Sequence, residues 1–140
     1  MRTIKFRAWH KLNNQMCDVS DIKFYDDGSS LITVCFFESP HLKKNQLPSD
    51  HLELMQYTGL LDKNGKDIYE GDVVNFTEKG LKQNGNPYTV EWREGQLLCI
   101  GIDGEWRVQF QNWTSTMFFE IIGNLFENPE LLEGATKWHS

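Results

Sequence analysis

Residues 88–100 read Tyr88-Thr89-Val90-Glu91-Trp92-Arg93-Glu94-Gly95-Gln96-Leu97-Leu98-Cys99-Ile100, and their two-residue rhythm decides the fold class. Tyr88, Val90 and Trp92 fall on one face of an extended chain, with Thr89, Glu91 and Arg93 on the other. That is the pattern of a half-buried strand. Glu94-Gly95 reads as a tight turn, and the apolar run 97–102 as a second strand. The same rhythm continues outward. Asn64-Gly65, Asn84-Gly85 and Asp103-Gly104 are further glycine turns. Between them lie short β-prone segments at 54–58, 73–77, 105–110 and 118–123, close to the spacing of about 8–12 residues expected of a small barrel or sandwich. In 105–110, Trp106, Val108 and Phe110 share a face opposite Glu105, Arg107 and Gln109.

One further step favours a barrel. Ile68-Tyr69-Glu70-Gly71-Asp72-Val73-Val74 enters a strand through a glycine able to take a conformation other residues resist. The following Asp is suited to bonding nearby backbone amides. Residues 54–140 are therefore expected to form an SH3-like small β-barrel. It should end in a short helical turn at Asn128-Pro129-Glu130, with a capping Asn, Pro at the first helical position and an acid in the first turn.

The N-terminal part is expected to be a separate β layer over residues 1–53. In 2–9, Ile4, Phe6 and Ala8 point one way and Lys5 and Arg7 the other, with Trp9 in phase with the cations. Residues 18–25 and 31–37 read as a hairpin about the turn Asp26-Asp27-Gly28-Ser29-Ser30. Between residues 38 and 50 the pattern breaks. Pro40 and Pro48 enclose Lys43, Lys44, Asn45 and Gln46, which suggests a polar, mobile connector. The fold class is thus mainly β with little helix: a barrel carrying an N-terminal β-hairpin layer.

Composition narrows the function. Aromatic residues make up 13% of the chain, which suits a sheet-rich core. No apolar run approaches the roughly 18 residues of a membrane span, and the alternating N-terminus lacks the apolar core of a signal peptide. A cytoplasmic protein with no membrane association is expected. Cys17, Cys35 and Cys99 are odd in number and widely spaced, so they signal neither a disulfide framework nor a zinc site. Residues 1–56 carry seven Lys/Arg and seven Asp/Glu, whereas residues 57–140 carry seven against thirteen and so hold the whole net charge of −6. An acidic body disfavours generic coating of DNA.

No catalytic constellation stands out. His10, His41, His51 and His139 show no ligand spacing and read as surface residues, and no nucleophile elbow or phosphate loop is present. Glu70 and Asp72 read as a turn acid and a strand-entry acid. No enzyme activity, metal or cofactor is expected. The nearest approach to a recognition surface is cationic and aromatic: Lys5, Arg7 and Trp9 on one strand face, with Arg93 and Arg107 following Trp92 and Trp106. In each Trp-Arg step the Trp is expected in the core and the Arg outside. Phe36-Phe37 and Phe118-Phe119 place rings on both sheet faces, so the N-terminal layer or another subunit should cover the second face.

Four blocks together carry a resemblance: Ile4-Lys5-Phe6-Arg7-Ala8-Trp9; Leu54-Met55-Gln56-Tyr57-Thr58-Gly59-Leu60; Asp62-Lys63-Asn64-Gly65-Lys66-Asp67-Ile68-Tyr69-Glu70-Gly71-Asp72-Val73-Val74; and Ile121-Ile122-Gly123-Asn124-Leu125-Phe126-Glu127-Asn128-Pro129-Glu130-Leu131-Leu132. In this order and spacing the chain resembles the YopX family of phage and prophage proteins. His10 departs from the pattern, since members often carry an acid there. The resemblance implies phage or prophage origin, an SH3-like portion and self-association, and it brings no catalytic residues to transfer. The leading expectation is a non-enzymatic, self-associating module that binds a host or phage protein. The alternative is a nucleic-acid accessory protein using the basic N-terminal strand.

Overall fold

The computed structural model describes residues 3–38, 41–76, 87–101, 107–109 and 119–132, with backbone only at 37, 38, 76 and 107–109. The chain is mainly β, organised in antiparallel sheets, and it divides into two compact units, Thr3–Gln56 and Tyr57–Ser140.

The first unit is a meander closed by a return strand. β1 (Phe6–His10), β2 (Gln15–Phe24), β3 (Ser30–Glu38) and β4 (His41–Pro48) follow in sequence. A 3-10 turn at Ser49–His51 then leads into β5 (Leu52–Leu61), whose first half pairs with β1. The spatial order is β4-β3-β2-β1-β5. The expected hairpin is present and longer than its apolar pattern. Its turn is held by Asp27, whose Oδ1 accepts from the Ser29 amide at 2.9 Å and hydroxyl at 2.6 Å. Ala8, Cys17, Ile32, Val34 and Leu52 form the core, with Val19, Ile22, Phe36 and Leu47 packed against it.

Two expectations for this unit are corrected. Residues 41–48, read as a connector, form β4 and pair with β3 from Leu31↔Pro48 to Glu38↔His41. The strand escaped notice because it is exposed along nearly its whole length; Leu47 alone is half-buried. A strand exposed on both faces has no apolar alternation to read. His10, read as a surface residue, is buried. It shares the phase of Ala8, and its Nδ1 accepts from the Asn13 amide at 3.3 Å in the β1–β2 turn.

In the second unit, the later half of β5 pairs with β6 (Asp67–Tyr69). β7 (Asp72–Phe76), β8 (Tyr88–Arg93), β9 (Gln96–Gly101), β10 (Arg107–Gln109) and β11 (Phe119–Asn124) build a sheet in the order β10-β9-β8-β7-β11. Glu94 and Gly95 both take positive φ (54° and 76°), the mirror-image turn whose twist suits a two-residue hairpin. The expected turns at Asn84-Gly85 and Asp103-Gly104 lie outside the described residues. Ile68, Val74, Tyr88, Val90, Leu97, Cys99 and Phe119 form the core.

Three backbone anchors hold this unit. The first is Asp62, which is 4% exposed. Its Oδ1 accepts from the amides of Asn64 (2.8 Å) and Lys66 (2.9 Å), closing the turn 62–66. Its Oδ2 accepts from the Ile121 amide of β11 at 3.1 Å, and the Lys63 amide donates to the Phe119 carbonyl at 2.8 Å. The turn therefore occupies the hydrogen-bonding edge of β11 opposite β7, where a strand edge would otherwise be open.

The second anchor is Gly71, at φ 84°. Its N–H donates to the Val90 carbonyl and its carbonyl accepts from the Leu125 amide, both at 2.9 Å. Next to it, buried Asp72 accepts from the Tyr69 amide at 2.8 Å, the role expected of a strand-entry acid. The third is the Asn124 turn, whose Oδ1 accepts from the amides of Phe126 (3.0 Å) and Glu127 (2.8 Å). The helical turn at 130–132 follows, but Asn128 does not cap it as expected. Its Oδ1 accepts instead from the Asn124 amide at 3.2 Å.

Burial would raise the Asp62 carboxyl, but the amides of Ile121, Lys66 and Asn64, with the Lys66 charge, outweigh it and hold the group below its ordinary value. A folded-state value below the unfolded one stabilises the protein above the unfolded pKa, near 3.9, and the contribution disappears as pH falls through the folded value. Asp62→Asn should cost on the order of 3 kcal/mol at neutral pH, since it weakens several hydrogen bonds to a charged group. Urea denaturation of both proteins should show that gap narrowing below about pH 4. A gap that stayed constant with pH would contradict the assignment. Gly123→Ala should also destabilise, by about 1–3 kcal/mol through overpacking. A Cβ there would lie 2.6 Å from Asn128 Oδ1 and 2.7 Å from Leu131 Cδ1, displacing the side chain that holds the Asn124 amide.

Candidate functional site

Of the residues singled out by the sequence, Lys5, Arg7 and Trp9 lie in the first unit and Arg93 and Arg107 in the second. Arg7 lies in β1 opposite Asp18 of β2 and Met55 of β5, and Trp9 lies opposite Met16 and Glu53. Both are half-buried. Lys5 precedes β1 and lines a groove beside β2. Each cation therefore sits among apolar or acidic neighbours, unlike the continuous basic strip that phosphate recognition favours.

Arg93 ends β8 and is exposed, but its guanidinium is engaged. Nε and Nη2 approach Glu91 Oε1 at 3.3 and 3.0 Å. Glu91 Oε2 accepts in turn from the Thr89 hydroxyl, so one strand face carries a hydrogen-bonded row of Thr89, Glu91 and Arg93. Trp92 is 40% exposed, which corrects its expected place in the core. Tyr88, Thr89 and Val90 are buried on both faces, and β8 then outruns its core before the Glu94-Gly95 turn. Arg107 opens β10 opposite Ile100. Its side chain, like Trp106, Phe118 and His139, lies outside the described residues.

Among the described residues, no three His, Cys, Asp or Glu side chains are placed to hold a metal. Burial pushes the Cys17 thiol up, with smaller contributions from the Asp18 charge and Cys35. Burial alone pushes Cys99 well above its ordinary value. Both groups are held as thiols rather than as the thiolates that act as nucleophiles.

The feature that sequence reasoning missed is a groove of about 370 Å³ in the first unit. It opens where the segment entering β1 parts from β2: the β1–β2 register reaches Arg7↔Asp18, while β2 runs on to Phe24 against β3 alone. Its apolar lining comes from Ile4, Phe6, Val19, Ile22 and Phe24. Ile4 is 75% exposed and Phe24 79%. Rings and branched chains so exposed, at the mouth of an apolar groove, are typical of an interaction surface. A β-bulge between Val19 and Asp21 hides the pattern in the sequence, because it breaks the alternation that would have linked Val19 to Ile22 and Phe24.

Comparison with known proteins agrees with this architecture. The crystal structure of protein EF1440 from Enterococcus faecalis superposes with a TM-score of 0.64 at 23% identity, covering 94% of this chain and 99% of that one. The crystal structure of protein yopX from Bacillus subtilis does so with a TM-score of 0.61 at 21% identity, covering 96% and 98%. At such identities the likeness is one of fold. In sequence, the SPbeta prophage-derived uncharacterized protein YopX of Bacillus subtilis (strain 168) is 32% identical over 72 residues, 50% of this chain and 53% of that protein. The matched region thus spans about half the length of this curated relative. The family model described as YopX protein matches residues 5–133, nearly the whole sequence, and the chain belongs to the YopX family.

Proposed function

We propose that this YopX-family chain is a phage- or prophage-encoded, non-enzymatic module that works in the bacterial cytoplasm by self-association and by binding a host or phage protein. The observation that carries the reading is the exposed apolar groove beside β2. An exposed patch of this kind, apolar apart from Lys5, Ser20 and Asp21, supports a contact surface more readily than a reaction site. The prophage origin rests on the Bacillus relative, a prophage-derived protein. The finer fold assignment belongs to the same proposal: the second unit is an SH3-like barrel. Its four-strand meander β7-β8-β9-β10, with β11 returning beside β7, is the strand order of that barrel and supports the assignment.

The nucleic-acid reading has less support. The second unit carries the chain's excess of acids, and Arg93 is committed to Glu91. Binding through Lys5 and Arg7 would be strongly salt-dependent.

Two measurements separate these readings. Sedimentation equilibrium should give a mass above the 16.4 kDa of one chain that rises with concentration. It should persist in high salt, because apolar burial drives it. A 16.4 kDa species at every concentration would refute self-association. Fluorescence anisotropy with labelled single- and double-stranded DNA at low salt should show no binding that the pair Lys5→Glu and Arg7→Glu abolishes. Tight binding lost in that double variant would replace this proposal with the nucleic-acid one.

A further inference from the structure

We infer that the edge of β2 over residues 19–24 is the surface through which two copies of this chain associate, by antiparallel strand pairing about a two-fold axis at Ile22. The inference rests on the self-association proposed above and assigns it a place and a register.

Three observations meet at this edge. The first is a hydrogen-bonding row with no strand registered to it, which Ile4, Lys5 and Phe6 face across the groove. β2 pairs with β3 from Asp18↔Cys35 to Phe24↔Ser30, whereas its register with β1 ends at Arg7↔Asp18. Among the described residues no strand is registered against the β1-facing side of residues 19–24. Open strand edges are templates for a further strand. The second is the groove of about 370 Å³ along the same edge, with Ile4 and Phe24 exposed at its mouth.

The third is charge, and it selects the occupant. The sequence here is Val19-Ser20-Asp21-Ile22-Lys23-Phe24-Tyr25. An antiparallel copy centred on Ile22 sets Asp21 opposite Lys23 of the second chain, and Lys23 opposite its Asp21. Ser20 then meets Phe24, and Val19 meets Tyr25. The edge is complementary to itself in charge, as a two-fold interface must be. The side of β4 away from β3, against which no strand is registered among the described residues, offers the contrast. Its strand carries Lys43 and Lys44 with no acid, so antiparallel self-pairing centred on these two residues would oppose lysine to lysine, and no register of the strand on itself offers an acid to either. Lysines on an edge strand are a common guard against such pairing.

Charge reversal gives the test, read by sedimentation velocity over a concentration series. Asp21→Lys places lysine opposite lysine twice in each pair of copies, and Lys23→Asp places aspartate opposite aspartate twice. Each variant alone should raise the dissociation constant by about tenfold or more. An equimolar mixture of the two should recover dimers. Positions 21 and 23 then both carry lysine in one chain, and they face two aspartates in the other. Asp21 also accepts from the Thr33 hydroxyl at 2.8 Å, so circular dichroism must first show each variant folded. If Asp21→Lys does not fold, Lys23→Asp and Lys23→Glu alone must weaken the dimer.

Loss of the dimer in the single variants, with recovery in the mixture, supports the inference. If the wild type associates and both folded variants associate equally well, this edge is not the interface, although the chain still self-associates. If the wild type stays monomeric throughout, both this inference and the self-association beneath it fall.

Discussion

A buried carboxylate with three backbone amides around it is the constraint on which the second unit depends. β11 lies at the margin of its sheet, and its outward N–H and C=O groups need partners other than water once the turn 62–66 covers them. Asp62 meets that need with a charge. It gathers its own turn through the amides of Asn64 and Lys66 and reaches Ile121, fifty-nine residues on, with its other oxygen. A neutral side chain at that position would leave amide donors without an acceptor of equal strength, and such losses are costly when buried. Gly71 and Asn124 apply the same logic to other peptide groups. One joins the turn before β7 to β8 and to the chain beyond β11; the other folds that chain back on itself.

These anchors fall within the segments 62–74 and 121–132, which carry the resemblance to the YopX family. The residues that identify the family are thus, in large part, residues that satisfy backbone hydrogen bonds. Asp62, Asp72 and Asn124 look in isolation like polar candidates for a site. In the structure their polar atoms are directed into turns.

Legibility followed burial. Tyr88-Thr89-Val90-Glu91-Trp92-Arg93 was readable as a strand because its aromatic and β-branched residues alternate with polar ones, and the observed β8 has the expected limits although its first half is buried on both faces. The glycine turn at 94–95 was readable because few residues accept positive φ. β4 was not readable, since a strand with both faces in water leaves no apolar record. Trp92 misled for a related reason: it keeps the phase of Val90 but lies beyond the end of the core. The groove was hidden by the bulge at Ser20, which shifts the phase midway along β2. The cations at 7 and 93 were visible as charges, but their acidic neighbours Asp18 and Glu91 became evident only through the strand register and the side-chain geometry.

Native-state hydrogen exchange at single-residue resolution tests most directly whether Asp62 is the keystone of the second unit. The Ile121 amide should exchange as slowly as the amides of Val74 and Val90 in the sheet, through the opening that unfolds the whole unit. If Ile121 exchanged through a local opening orders of magnitude faster than those core amides, the carboxylate would be an accessory to the fold rather than its keystone.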